Sequence, residues 1–101
     1  MWLMSLTSHE NLMNMNTIMF FTTEGCHLCE LAREMLESLG ESEKFVVETQ
    51  DISEAEVLVE KYGLLIPVLM DKGTRKELRW PFDSHDIAEW ISFNSRQKNI
   101  A

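Results

Sequence analysis

Ile18-Met19-Phe20-Phe21-Thr22-Thr23-Glu24-Gly25-Cys26-His27-Leu28-Cys29-Glu30-Leu31-Ala32-Arg33-Glu34-Met35-Leu36-Glu37-Ser38-Leu39-Gly40 joins two different hydrophobic periodicities through a short polar loop. Ile18 to Phe21 is an unbroken apolar run, as expected of a strand covered on both faces in a sheet flanked by helices. Thr22 to Gly25 reads as loop. Beyond it Leu28, Leu31, Ala32, Met35, Leu36 and Leu39 recur at helical spacing and predict one apolar stripe. His27, Glu30, Arg33, Glu34, Glu37 and Ser38 fall on the other side. Gly40 offers the left-handed residue that commonly stops a helix.

Working outward from that unit, Phe45-Val46-Val47 predicts a second, short, buried strand. A strand–helix–strand crossover places the two strands parallel. Ser53 and Glu56 have the spacing of a capping box, opening a helix with Ala55, Leu58, Val59 and Tyr62 on one face and Gly63 at its end. Pro67-Val68-Leu69-Met70 predicts a third strand, with proline tolerated at its start because no ladder hydrogen bond is lost there. Asp71-Lys72-Gly73-Thr74 is turn chemistry, and Lys76 to Trp80 alternates as a half-exposed fourth strand should. Asp83 caps a closing helix that has Asp86 at its third position and turns Ile87, Trp90 and Ile91 inward. The order β-α-β-α-β-β-α makes an α/β fold, a four-stranded mixed sheet with helices on both faces. Toward the other end, residues 1–16 lack such a pattern and read as a flexible extension. Residues 17–101 form one domain.

Composition narrows the function. The chain has 101 residues, 45% of them hydrophobic, and a net charge of -8. So acidic a surface argues against nucleic acid and against anionic membranes, which attract basic faces. No stretch approaches the roughly 18 apolar residues of a membrane span. There are two cysteines, too few for the disulfide scaffold of a small secreted domain. The opening residues have no basic lead-in and too short an apolar stretch for a signal peptide, so a cytoplasmic setting is expected.

The two cysteines carry the chemistry. Cys26 stands where the loop enters the first helix, whose first N–H groups have no internal partner and whose dipole adds positive charge. Such a site lowers a thiol pKa from about 8.5 into the range of roughly 3.5–7.5. Cys29 comes one turn later on the inward stripe, more buried and less acidic. An exposed reactive thiol beside a buried one suits disulfide exchange, with Cys26 attacking and Cys29 resolving. Other readings of a C-x-x-C pair stay open: an incidental pair, a redox sensor, a non-catalytic binding module, or an iron–sulfur carrier bridging two subunits through Cys26. No metal site is assigned, because tetrahedral zinc wants four ligands and His9, His27 and His85 are scattered.

Phe20 to Cys29 resembles the strand-to-active-site segment of glutaredoxin-like proteins. Ile66-Pro67-Val68 is similar to the cis-proline motif of the thioredoxin superfamily. Trp80-Pro81-Phe82-Asp83-Ser84 lies where glutaredoxins cap their last helix. The resemblance spans roughly residues 17–95 and is nearest to small bacterial glutaredoxin-like proteins with a C-x-L-C site. It implies a thioredoxin-like fold and a thiol-disulfide oxidoreductase, a monomer acting on protein disulfides or glutathione mixed disulfides. It implies a cis Ile66–Pro67 bond, an Ile66 backbone that pairs with the incoming substrate, and Asp83 and Ser84 toward a glutathione amine. The chain departs from glutaredoxins in three places. His27 and Leu28 replace proline and an aromatic residue, Thr23 and Glu24 stand where a lysine is usual, and Trp80-Pro81 replaces paired glycines. No tightly bound cofactor is expected, and glutathione is expected only as a weak co-substrate.

Overall fold

The computed structural model describes residues 16–41 and 44–100. In chain order these form β1 (Asn16–Thr22), α1 (His27–Leu39), β2 (Phe45–Asp51), one 3-10 turn (Ile52–Glu54), α2 (Glu56–Tyr62), β3 (Val68–Asp71), β4 (Glu77–Arg79) and α3 (Ser84–Ile100). The strands lie in the order β2-β1-β3-β4. β1 runs parallel to β2 and antiparallel to β3, and β4 is antiparallel to β3. The mixed four-stranded sheet and the helices around it form the expected thioredoxin-like α/β fold.

Successive strand residues point to opposite faces, and β1 uses both. Ile18 and Phe20 join Ala32 and Leu36 of α1, Leu69 of β3, and Ile87 and Ile91 of α3 in one buried cluster. Phe21 turns the other way, into a smaller cluster with Ile52, Tyr62 and Val68. Thus α1 and α3 cover one face and α2 the other. Full burial of each Ile, Leu, Val or Phe side chain among them contributes about 1.5–3 kcal/mol. Buried polar groups fasten α3 to the strands. The Asn16 amide donates to the Ile91 carbonyl (3.0 Å) and accepts from the Ser95 hydroxyl (3.1 Å). Thr74 donates to Asn94 (3.0 Å), whose amide donates back to the Trp90 carbonyl (2.9 Å).

Several local expectations are corrected. Asn16, assigned to the extension, opens β1 and is buried; the rest of the extension lies outside the described residues. The second strand is longer and less buried than Phe45-Val46-Val47 suggested. It runs to Asp51 as the outer strand of the sheet, with Val46 and Val47 exposed, because β1 pairs with it on one side only. Leu28, placed on the apolar stripe, is 40% exposed, and its neighbour Cys29 takes the buried position in that turn of α1. Gly40 is right-handed (φ -60°), so α1 ends without a left-handed cap. Ser53 caps no α-helix: Asp51 accepts its N–H and opens the 3-10 turn, and α2 starts at Glu56 with no side-chain cap on Ala55. Gly63 ends α2 because space demands it. A Cβ there would stand 2.5 Å from the Val59 carbonyl oxygen.

Candidate functional site

After β1 the chain reverses at Glu24-Gly25, where Gly25 takes φ +78°, a conformation glycine adopts at little cost. Cys26 is the N-cap of α1, a role Ser, Thr, Asp or Asn usually fills. Its Sγ accepts the Cys29 N–H at 3.2 Å, satisfying one donor that the helix leaves without a partner. Cys26 and Cys29 form a disulfide, with their Cα atoms 5.2 Å apart. Cys29 is 1% exposed and belongs to the core cluster, whereas Cys26 is only partly buried. That asymmetry matches the one expected from sequence. The Cys29 N–H and the positive end of the α1 dipole stand beside the Cys26 sulfur.

The strand register gathers the remaining site residues at one end of the sheet. Phe21 pairs with Val68, Thr22 with Asp51, and Val68 with Arg79. The Cys26 loop, the end of β2, the Ile66-Pro67 entry to β3 and the Trp80-Pro81 exit from β4 therefore lie together. The Ile66–Pro67 bond is cis as expected, and Trp80–Pro81, not foreseen, is cis as well. Cys26, Ile66 and Trp80 all pack against the same core cluster, where Trp80 meets Phe82 edge-on (5.1 Å between ring centroids). The Ile66 N–H is already used, donating to the Tyr62 carbonyl at 3.0 Å. The carbonyl is the backbone group Ile66 has left to offer. Asp83 and Asp86 form a reciprocal capping box at α3: Asp83 accepts the Asp86 N–H (2.8 Å) and Asp86 accepts the Asp83 N–H (3.0 Å). Those bonds, the Asp86 backbone N–H first, hold the Asp83 carboxyl below its ordinary range. Ser84 follows as the first helical residue and is partly buried.

On the β2 side of the disulfide the structure shows a groove the sequence reading did not anticipate. A cavity of about 300 Å³ is lined by Cys26, Glu24, Glu30, Arg33, Thr49 and Asp51, among others. Asp51 accepts from the Ser53 N–H (2.9 Å), the Ser53 hydroxyl (2.8 Å) and the Thr23 hydroxyl (3.2 Å). The Ser53 backbone bond leads in keeping its carboxyl below the usual range. Among the described residues Glu24 and Glu30 pair with no cation. Asp51 escaped notice because the second strand was expected to end at Val47. A strand running seven residues from Phe45 in parallel register would have set Asp51 beside Thr22 and the dithiol loop.

Comparison with known proteins agrees with this geometry. Residues 17–92 match the family described as Glutaredoxin-like domain (DUF836). A crystal structure of a structural-genomics target protein from X. campestris is 32% identical, with a TM-score of 0.64 over 74% of this chain and 95% of that one. A protein of Nitrosomonas europaea solved by NMR in solution is also 32% identical, with a TM-score of 0.65 over 74% of this chain and 89% of that one. No protein of curated function matches the sequence.

Proposed function

The chain belongs to the glutaredoxin-like family and holds a thioredoxin-like redox pair at Cys26 and Cys29, and from that premise we propose that it is a thiol-disulfide oxidoreductase. The observation that carries the proposal is the division between the two sulfurs. Cys26 caps a helix at the surface, while Cys29 is buried one turn behind it.

In the proposed reaction the Cys26 thiolate attacks one sulfur of a substrate disulfide. A Cys26–substrate disulfide forms, the substrate S–S bond breaks, and the departing thiolate takes a proton from water. Cys29 then gives its proton to solvent and attacks the Cys26 sulfur. The second substrate thiolate leaves, and the Cys26–Cys29 disulfide seen here is restored. Two electrons pass from the dithiol to the substrate, which becomes two thiols. A cellular dithiol or glutathione returns them. The proposed substrates are protein disulfides or glutathione mixed disulfides, met by a monomer in the cytoplasm. The Ile66 carbonyl beside Pro67 is the proposed backbone acceptor for the substrate. Glutathione is a weak partner in this reading, because its carboxylates meet Glu24 in place of a lysine.

Trapping tests the assignment. Cys29→Ser is expected to hold stable mixed disulfides with cellular proteins, whereas Cys26→Ser holds none. In the Cys29→Ser protein, alkylation of Cys26 should inflect below about pH 7.5, and an inflection near 8.5 or above removes the activated thiol. Equal trapping by both variants overturns the attacking and resolving roles. A disulfide that cycles without turning over insulin or a glutathione mixed disulfide marks a sensor instead.

A further inference from the structure

The groove beside the disulfide points to a substrate class. We propose that the preferred substrate is a protein disulfide with basic residues flanking the attacked cysteine, drawn in by Glu24 and Glu30. This rests on the oxidoreductase reading above and adds to it the charge of the partner.

The cavity that opens on Cys26 is lined by three carboxylates, Glu24, Glu30 and Asp51, against one guanidinium, Arg33. The four are not equivalent. Asp51 is turned to local use by Ser53 and Thr23. Arg33 lies over the Phe20 ring, 5.3 Å from its centroid, and forms no ion pair among the described residues. Among the described residues Glu24 and Glu30 are exposed and equally free of a cation, unlike Glu48 of β2, which Lys72 holds at 2.9 Å. Two unneutralised carboxylates thus line the same groove as the attacking sulfur, one from the loop before it and one from the first turn after it. The chain carries -8 overall, so the long-range field has the same sign as the local one. A cationic substrate is steered in by both, and an anionic one is opposed by both.

The groove also has length. Arg33 and Thr49 line a second cavity of about 320 Å³ that continues along β2 over Leu36, Phe45 and Val47. That tract suits an extended protein segment more than a tripeptide.

Single-turnover oxidation of the reduced protein tests the proposal, read as the mass of alkylated free thiols after acid quenching. Three disulfides are compared: a peptide with lysines beside its cysteines, the same peptide with glutamates, and neutral 2-hydroxyethyl disulfide. At roughly 0.02 M salt the lysine peptide is expected to react at least about tenfold faster than the glutamate peptide. At about 0.5 M salt, where screening acts within a few ångströms, the ratio should fall toward twofold. The Glu24→Gln/Glu30→Gln protein should show a much smaller ratio already at low salt. Equal rates for the two peptides, with all three disulfides oxidising the protein, overturn the basic-substrate inference and leave the oxidoreductase standing. A large ratio that survives the double substitution removes the two glutamates from the mechanism. Failure of all three disulfides to oxidise the protein overturns the oxidoreductase reading and this inference with it.

Discussion

The two faces of the sheet are built to different standards. On the α1/α3 face, Phe20, Ala32, Leu69 and Ile87 are fully buried, and Cys29 sits among them. On the other, α2 is seven residues long, has no side-chain cap, and leaves Val57 68% exposed. Leu64, just beyond it, is wholly exposed. The dithiol belongs to the first kind of structure. Its inner sulfur is held by close packing, so the position of Cys29 behind Cys26 is fixed by the core and not by the loop. The groove belongs to the same face, since Thr49 of β2 pairs with Phe20 of β1 and lines it together with Glu30 and Arg33 of α1. Dense packing is concentrated where one sulfur must meet another.

The largest expected effect sets these faces against each other. Phe20→Ala should lose about 3–5 kcal/mol of unfolding free energy, the usual result of emptying a packed aromatic site. Val57→Ala should stay within about 0.5 kcal/mol of the parent, as exposed substitutions do. Urea denaturation at fixed pH measures both. A Val57→Ala loss comparable to that of Phe20→Ala would break the contrast.

The same contrast explains what the sequence revealed. β1 and α1 were legible because a strand buried on both faces and a helix with one apolar stripe leave strong periodic signals. β2 was not: as an outer strand it carries Glu48, Thr49, Gln50 and Asp51 without hydrophobic alternation, so its length was missed, and with it the acidic groove. The cap at α2 misled for a related reason. Ser53 and Glu56 have capping-box spacing, but Asp51 captures the Ser53 N–H first and spends that segment on a 3-10 turn. The dithiol and the Asp83 cap were readable because each depends on residues adjacent in sequence, whereas the cis Ile66–Pro67 bond followed from the resemblance and the cis Trp80–Pro81 bond was not foreseen. The commitment of the Ile66 N–H to Tyr62 depends on how α2 ends, which no local motif announces.

One contact on the weaker face goes against its general looseness. Tyr62 stacks on Phe21 (4.2 Å between ring centroids) and donates its hydroxyl to Glu77 at 2.7 Å, so α2 is pinned to β1 and β4 at once. Burial, then the Glu77 carboxylate, pushes the Tyr62 hydroxyl up to about 12. Burial alone would raise Glu77, but the bonds from Tyr62 and Arg79 outweigh it and hold its carboxyl low. Tyr62→Phe is expected to cost about 1.5–3 kcal/mol at neutral pH, the range for a hydrogen bond to a charged group. The sign of the pH dependence follows from the raised value. The protonated hydroxyl is favoured in the folded state, so its contribution is complete below about pH 10 and fades as pH climbs toward 12. The parent should lose stability across that alkaline window relative to Tyr62→Phe. Parallel curves for the two proteins would show that Tyr62 titrates normally and that the pin is weak.

The smallest expected effect lies back on the stronger face, at the cap of α3, and it separates two roles for Asp83. The resemblance to glutaredoxins gives that carboxylate to a glutathione amine, while the structure engages it with the Asp86 N–H. Asparagine caps a helix about as well as aspartate but carries no charge, and alanine does neither. If capping is the main role, Asp83→Asn keeps the thermal midpoint near that of the parent and Asp83→Ala lowers it by roughly a few degrees. The lowered Asp83 carboxyl adds a check. Its contribution is present above the unfolded value of about 4 and disappears as pH falls below it, so parent and Asp83→Ala should converge in acid. Glutathione disulfide then supplies the other half of the comparison. Its slow oxidation of the reduced protein should be nearly unchanged in Asp83→Asn, because Glu24 and Glu30 dominate the charge near Cys26. A marked slowing in Asp83→Asn with an intact midpoint would place the glutathione amine at Asp83, making the α3 terminus part of the binding site as well as a fastening of the core.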